Sequence, residues 1–394
     1  MIRVPSRVVK PRGWRPFLLT QTAVFYLLAI ASCLGSSRIV DLPASASAED
    51  IQTALDRAPD GGRVRLGPGT FYIRQPIFLR KGGEALQGAG ASTVLFLVDN
   101  ANCPVIVLGA PLARPARPTA HLELSDLVID GNRERQQAEF WQSAVDGSAL
   151  MNNGIDVWNA TDASISHVVC RRCRSGGLVT AAGTRRLVVS DFTACGNEFD
   201  GLACYQTEDS RFTNLFLHDN LGAGISLDLA FNHNRIEHAE LDGNDLGVFM
   251  RHSRGNTFQN VRIRDSRHHG VFIAQALGNT AAGWQLVPGT ECTDNSFAGL
   301  DVAHCGGRAV LINDVSCRNN PISDFHFADN ATDPGARPLV KLATLPLPAT
   351  TPNQQAEARV SLSGKEQNSG RKTPAAVLPL VPGSAPAGSG TASL

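Results

Sequence analysis

Glycine returns at a nearly fixed interval through the middle of this chain, at Gly154, Gly177, Gly201, Gly224, Gly247 and Gly270. That period constrains the fold more than any motif. The steps are 23, 24, 23, 23 and 23 residues, and each glycine opens a similar segment: NNGIDVWNA, SGGLVTAAG, FDGLACYQT, GAGISLDLA, DLGVFMRHS and HHGVFIAQA. A seventh unit is expected at Gly299 in FAGLDVAHC, 29 residues on, with a loop inserted around residues 287–293. After each glycine, apolar residues alternate with others, as at Ile225 and Leu227, which is the pattern of a half-buried strand. A second apolar run follows a polar turn, as in FTNLFLHDN and FQNVRIRDS. No unit sustains a helical period long enough for a crossover helix. Units of this kind bury their apolar faces only by stacking, so the expected architecture is all-β, a parallel β-helix with coils of about 23 residues. Leucine-rich repeats share the period but carry an LxxLxLxxN pattern that is missing here, and propeller blades are longer.

A parallel stack must cover its open ends. Ser47-Ala48-Glu49-Asp50 ahead of IQTALDRA reads as an N-capped amphipathic helix with Ile51, Leu55 and Ala58 on one side, suited to closing the first coil. Asn197, Asn220 and Asn295 each stand four residues before a glycine. Stacked asparagines there would satisfy one another and the turn backbone, although simple turn preference explains them equally well.

The termini differ from this middle. Arg3, Arg7, Lys10, Arg12 and Arg15 precede an apolar run over residues 17–31, the layout of a secretory signal over residues 1–33. Its end, Ile30-Ala31-Ser32-Cys33, is similar to a lipoprotein box in which Cys33 would be lipidated and hold the chain to a membrane. Ordinary cleavage or an uncleaved anchor are the alternatives, and all three export the rest to a periplasmic, outer-membrane-attached or extracellular location. Residues 335–394 are rich in Pro, Ala, Ser and Gly and are expected to be a disordered tail. Lys and Arg number 36 and Asp and Glu 36, a formal net charge of zero that argues against a nucleic-acid partner drawn by a global positive field.

The run DIQTALDRAPDGGRVRLGPGTFYIRQPIFL, then ALQGAGASTVLFL, LSDLVIDGNRE and the repeats that follow, resembles right-handed parallel β-helix proteins of the pectate-lyase-like superfamily over about residues 44–330. The resemblance implies a right-handed solenoid, a polysaccharide partner and a single, monomeric domain. It leaves the reaction open, since this scaffold serves lyases, hydrolases, epimerases and noncatalytic adhesins. Polygalacturonase-type hydrolases have adjacent aspartates and Gly-His-Gly, and this chain has neither; the Asp-Pro-His-Asp motif of periplasmic alginate epimerases is also missing.

The fourth residues after the glycines are Trp158, Ala181, Tyr205, Asp228, Arg251, Ala274 and Ala303, and they are expected on the solvent side, stacked about 4.8 Å apart. Tyr205, Asp228 and Arg251 then form a contiguous polar line beside Ser226, Phe249 and Phe272. Lyase or C5-epimerase chemistry on a uronate glycan needs a cation for the carboxylate, a base for the C5 proton and an acid. Arg251 suits the first, Asp228 or His233 the second and Tyr205 the third, with Glu208, Asp209, His252 and Phe249 lining the substrate. A solvated Asp228–Arg251 ion pair on a noncatalytic binding ledge is the competing reading, and glycoside hydrolysis a further one, so the sequence does not decide whether the chain is an enzyme. No cofactor is required. Glu198, Asp200, Glu208 and Asp209 form the one cluster that would suit calcium, and Cys170-x-x-Cys173 is half of a zinc motif with no second half. Trp141 and Trp158, beside the insertion at 132–151, would stack on sugars or pack the insertion. Setting Cys33 aside leaves eight cysteines; Cys170 with Cys195 and Cys292 with Cys317, each 25 residues apart, are candidate bridges, against the alternative of buried thiols.

Overall fold

The computed structural model describes residues 39–110, 117–137, 152–280 and 283–331. The signal segment with Cys33, Trp141 and the tail from 335 fall outside them. The described strands run from Ile39 to Ala328 and pair in parallel except for one hairpin, and they form a right-handed parallel β-helix. Strands Ile155–Trp158, Leu178–Ala181, Leu202–Tyr205, Ala223–Asp228, Leu246–Arg251 and Val271–Ala274 are consecutive neighbours in a nine-stranded sheet. Two-residue strands make a six-stranded sheet beside it, and eight-residue strands such as Arg211–His218 and Arg235–Asp242 belong to a fourteen-stranded one.

The glycine period keeps every coil in register. Ile155, Leu178, Leu202, Ile225, Val248 and Val271 are in-register partners and are all fully buried. A step of one residue would turn each of them out of the core. Each coil bends through single residues in the left-handed region. Asn159 (φ 47°), Gln206 (φ 49°) and His252 (φ 45°) leave the nine-stranded sheet; Asp162, Asp209 and His233 (φ 57°) leave the six-stranded one; His167, Asn214 and His238 bend the long strands at mid-length. Asn, Asp and His tolerate this conformation better than other side-chain-bearing residues. Six of the ten histidines adopt it, so backbone geometry accounts for most of the histidine in this chain.

Two asparagine ladders lie inside the turns. Asn197 Nδ2 donates to Asn220 Oδ1 at 2.8 Å, and Asn220 Nδ2 to Asn244 Oδ1 at 2.9 Å. Asn234, Asn256, Asn295 and Asn320 form the second in the same way. The asparagines therefore do satisfy one another, but Asn295 belongs to a different ladder from Asn197 and Asn220.

At the N-terminal end, α1 (Ala48–Arg57) is closed by a reciprocal capping box: Ser47 N–H donates to Asp50 Oδ2 at 2.8 Å and Asp50 N–H to Ser47 Oγ at 3.1 Å. Ile51, Leu55 and Ala58 face the core, as the sequence predicts. Among the described residues no helix is long and apolar enough to cross a membrane.

The seventh unit departs from expectation. Val271 pairs with Val310, so the residue that follows Gly270 in register is Ala309. Gly299 instead bends the long strand Ser296–Ala303 opposite Asn260, and Ala303 pairs with Arg264, outside the column of Arg251. The insertion is a hairpin, Leu277–Thr280 with Gly283–Leu286, and begins well before residue 287. Its feet are clamped, Val287 N–H to Ala276 O at 2.8 Å and Ala276 N–H to Thr290 Oγ1 at 3.1 Å.

Candidate functional site

Register carries the fourth-position residues into one column on the outer side of the nine-stranded sheet: Trp158 beside Ala181, Tyr205 beside Asp228, Arg251 beside Ala274. Asp228 Oδ2 accepts from Arg251 Nε at 2.7 Å and also from Arg251 Nη2, while Asp228 Oδ1 accepts from Leu229 N–H at 2.7 Å. These groups are not solvated. Asp228 is 2% exposed, Tyr205 8% and the Arg251 side chain 12%, which replaces the expected surface ladder with a buried ion pair. Ion pairs of this kind are poor sources of net stability, yet removing one partner leaves an uncompensated charge in a dry place.

Beside the column lies an aromatic row. The Arg251 guanidinium sits 5.6 Å from the centroid of Phe249; Phe249 and Phe272 stack at 5.9 Å and 13°, and His269 continues the row on Phe272 at 5.9 Å and 16°. His268, its neighbour in sequence, points elsewhere, 3.6 Å from Asp245.

The group that sequence reasoning undervalued is Asp200. Its Oδ1 accepts from Ala223 N–H at 2.7 Å, and a side chain at Gly222 would come within 2.6 Å of that oxygen. Ser226 is buried and its hydroxyl lies near both the Asp200 carboxyl and the Tyr205 hydroxyl, lowering the pKa of each. Asp200 keeps some solvent contact as a residue, but its carboxyl is desolvated, and this pushes its pKa up to about 6, with the charge of Asp245 adding to the effect and the bonds from Ala223 and Ser226 opposing it. Burial, then the charges of Asp200 and Asp228, raise Tyr205 well above the ordinary phenol range. A signal for Asp200 existed in the sequence. The residues just before the register glycines are Asn153, Gly176, Asp200, Ala223, Leu246 and His269, with a single acid among them.

The other sequence candidates scatter. His233 closes a corner, its Nδ1 against the backbone of Gly255 and away from the network. Glu208 pairs with Arg185, with Asp209 at 3.7 Å from the same guanidinium. Glu198 lies 3.4 Å from Arg174 and 3.7 Å from Arg133. The expected calcium cluster is therefore split among separate arginines and the Asp200 pocket, and no group of three or more His, Cys, Asp or Glu side chains converges for a metal among the described residues. His252 is a corner residue nearer the site: burial, ahead of the opposing Asp228 charge, lowers its pKa, and its buried Nδ1 has no hydrogen-bond partner. Cys170 and Cys195 are excluded as a bridge. Cys170 pairs with Ala194 and Arg171 with Cys195, so the two are one residue out of register and their side chains leave opposite faces of the sheet.

Residues 131–332 match the family model described as "Periplasmic copper-binding protein (NosD)". No curated protein matches the chain. Among solved structures, ORF18 of Geobacillus virus E2 is similar with a TM-score of 0.56 at 12% identity, over 80% of this chain and 62% of that one, so this chain spans less than two thirds of the viral protein. A polygalacturonase from Erwinia carotovora ssp. carotovora matches at 0.51 and 15% identity, over 75% of this chain and 85% of the enzyme. The family 28 exopolygalacturonase of Yersinia enterocolitica matches at 0.52 and 13%, over 77% of each chain. At these identities the likeness is one of fold.

Proposed function

From the premise that this chain belongs to the NosD family of periplasmic copper-binding proteins, we propose that it is an exported β-helix protein that acts on an acidic polysaccharide along the outer side of its nine-stranded sheet. The chemistry its groups allow is lyase- or epimerase-type proton transfer at C5 of a uronate. The observation that carries this reading is the Asp200 carboxyl, raised to about 6 beside the hydroxyl of Tyr205. A carboxyl in that range is present in both protonation states near neutrality and can take a proton and return it. Tyr205 stays protonated and is a donor. Arg251, fixed by Asp228, supplies the positive charge that an enolate-like transition state requires. Perturbed groups gathered in this way are the arrangement expected of a functional site.

One observation favours binding without turnover. Asp228 and Arg251 satisfy each other, and Tyr205 is nearly closed off, so a substrate carboxylate must displace or share Asp228. The two readings separate experimentally. Purified protein is incubated with a panel of polyuronates, with ultraviolet absorbance following unsaturated ends and NMR following C5 configuration. Turnover that falls about 100-fold or more in Asp200→Asn and in Tyr205→Phe is the expected result. If no polyuronate yields a product but calorimetry detects binding that Arg251→Ala weakens, the protein is a noncatalytic glycan module. If neither occurs, the polysaccharide reading is lost.

The printed family description includes copper. The described residues do not fit a copper centre of three or more His, Cys, Asp or Glu donors; most of the histidines are committed to corners, and Met250 is sealed in the core.

A further inference from the structure

Two cysteine pairs share a spacing of 25 residues, and the coil register separates them. Cys170 and Cys195 are out of step by one. Cys292 and Cys317 are in step, because each stands two residues before an equivalent left-handed corner, Asp294 (φ 61°) and Asn319 (φ 57°), and the coils around them are joined by Asn295 N–H donating to Asn320 Oδ1 at 3.1 Å. Both side chains point into the core, at 0% and 4% exposure. The Cys292 N–H donates to Cys317 Sγ at 3.3 Å. In-register residues of neighbouring parallel coils have Cα atoms about 4.8 Å apart, inside the window of about 4.4–6.8 Å that a disulfide spans.

We propose that Cys292 and Cys317 are a covalent modification site, oxidised to a disulfide once the chain reaches an oxidising compartment, and that the bond fastens the last coil to the one before it. The Cys317 thiol is held below the ordinary range, chiefly by the neighbouring Cys292 side chain and then by the Cys292 N–H aimed at its sulfur, whereas burial pushes Cys292 up. Because the Cys292 N–H is aimed at Cys317 Sγ and favours a negative charge there, Cys317 is the attacking thiolate. It forms a mixed disulfide with an oxidised dithiol oxidoreductase or glutathione disulfide and expels one thiol of that donor. Cys292 then loses its proton, attacks Cys317 Sγ and expels the second. Two electrons and two protons pass to the donor. The position has structural value, since residue 292 is where the hairpin insertion returns to the coil. Glu291 there pairs with Arg254 at 3.0 Å, and Cys292 Sγ donates to Ala274 O at 3.4 Å, next in register to Arg251.

The test uses the full chain, reduced and then exposed to glutathione disulfide, alkylated in denaturant and digested without reductant. Mass spectrometry is expected to find the peptides of Cys292 and Cys317 joined and two hydrogens lighter than their sum. Alkyl groups on both residues, or a link from either to another cysteine, overturns the site. Melting supplies the second measurement. Reductant is expected to lower the Tm of the oxidised protein by roughly 5–10 °C, an effect that vanishes in Cys292→Ala/Cys317→Ala and persists in Cys170→Ala/Cys195→Ala. Equal melting of the two redox states shows that the bond does not fasten the last coil and removes that part of the proposal.

Discussion

Asp200 makes folding work against its own ionisation. Its folded-state pKa of about 6 lies above the ordinary 3.8, so between those values the native chain binds more protons than the unfolded one, and stability falls as pH rises through the window. The full shift corresponds to at most roughly 3 kcal/mol, less whatever solvent screening the residue keeps. Asp200→Asn should therefore flatten the difference in urea-unfolding free energy between pH 4 and pH 7 relative to the parent, and be the more stable protein at pH 7; an unchanged slope removes the claim that this carboxyl is desolvated. Asp228→Asn removes the carboxylate that holds the Arg251 guanidinium and is expected to cost about 3–5 kcal/mol in the same measurement. That Tyr205, Asp228 and Arg251 meet was legible in the sequence, because register alone decides it. That they are buried was not, since a period of two says which face a residue leaves and nothing of what lies over that face. His233 stands in a left-handed corner, a conformation that selects histidine on backbone grounds.

Between coils, the unit of organisation is the ladder. Asn220 accepts from Asn197 N–H and Nδ2 and donates to Ala194 O and Asn244 Oδ1. Asn220→Ala removes four hydrogen bonds at once and takes from the buried Asn197 N–H its acceptor, which should cost about 2–4 kcal/mol in denaturant unfolding. Asn214, on an open bend, should tolerate alanine far better. The glycine period located these turns because a side chain at Gly224 would meet Asn244 Nδ2 at 3.0 Å and Gly247 O at 3.0 Å. The period failed at Gly299 because the hairpin insertion lengthens one coil, and a glycine needed for a mid-strand bend then mimicked the register position.

Across the whole molecule, the ends matter more than any single coil. α1 covers Val64, Leu66 and the first coil's other apolar residues through Ile51 and Leu55. Ser47→Ala breaks the capping box and should lower stability by about 1 kcal/mol, whereas deletion of the helix should expose the first coil and bring concentration-dependent association, visible by light scattering. The helix was readable from Ser47 and Asp50, whose spacing has one physical meaning.

The hairpin at Leu277–Leu286 leaves and rejoins the solenoid with its feet clamped and the next rung still in step. Such an excursion is a socket. A segment of different length or composition could be exchanged there while the coils on either side keep their register, so the excursion can be re-engineered without renegotiating the fold that carries it.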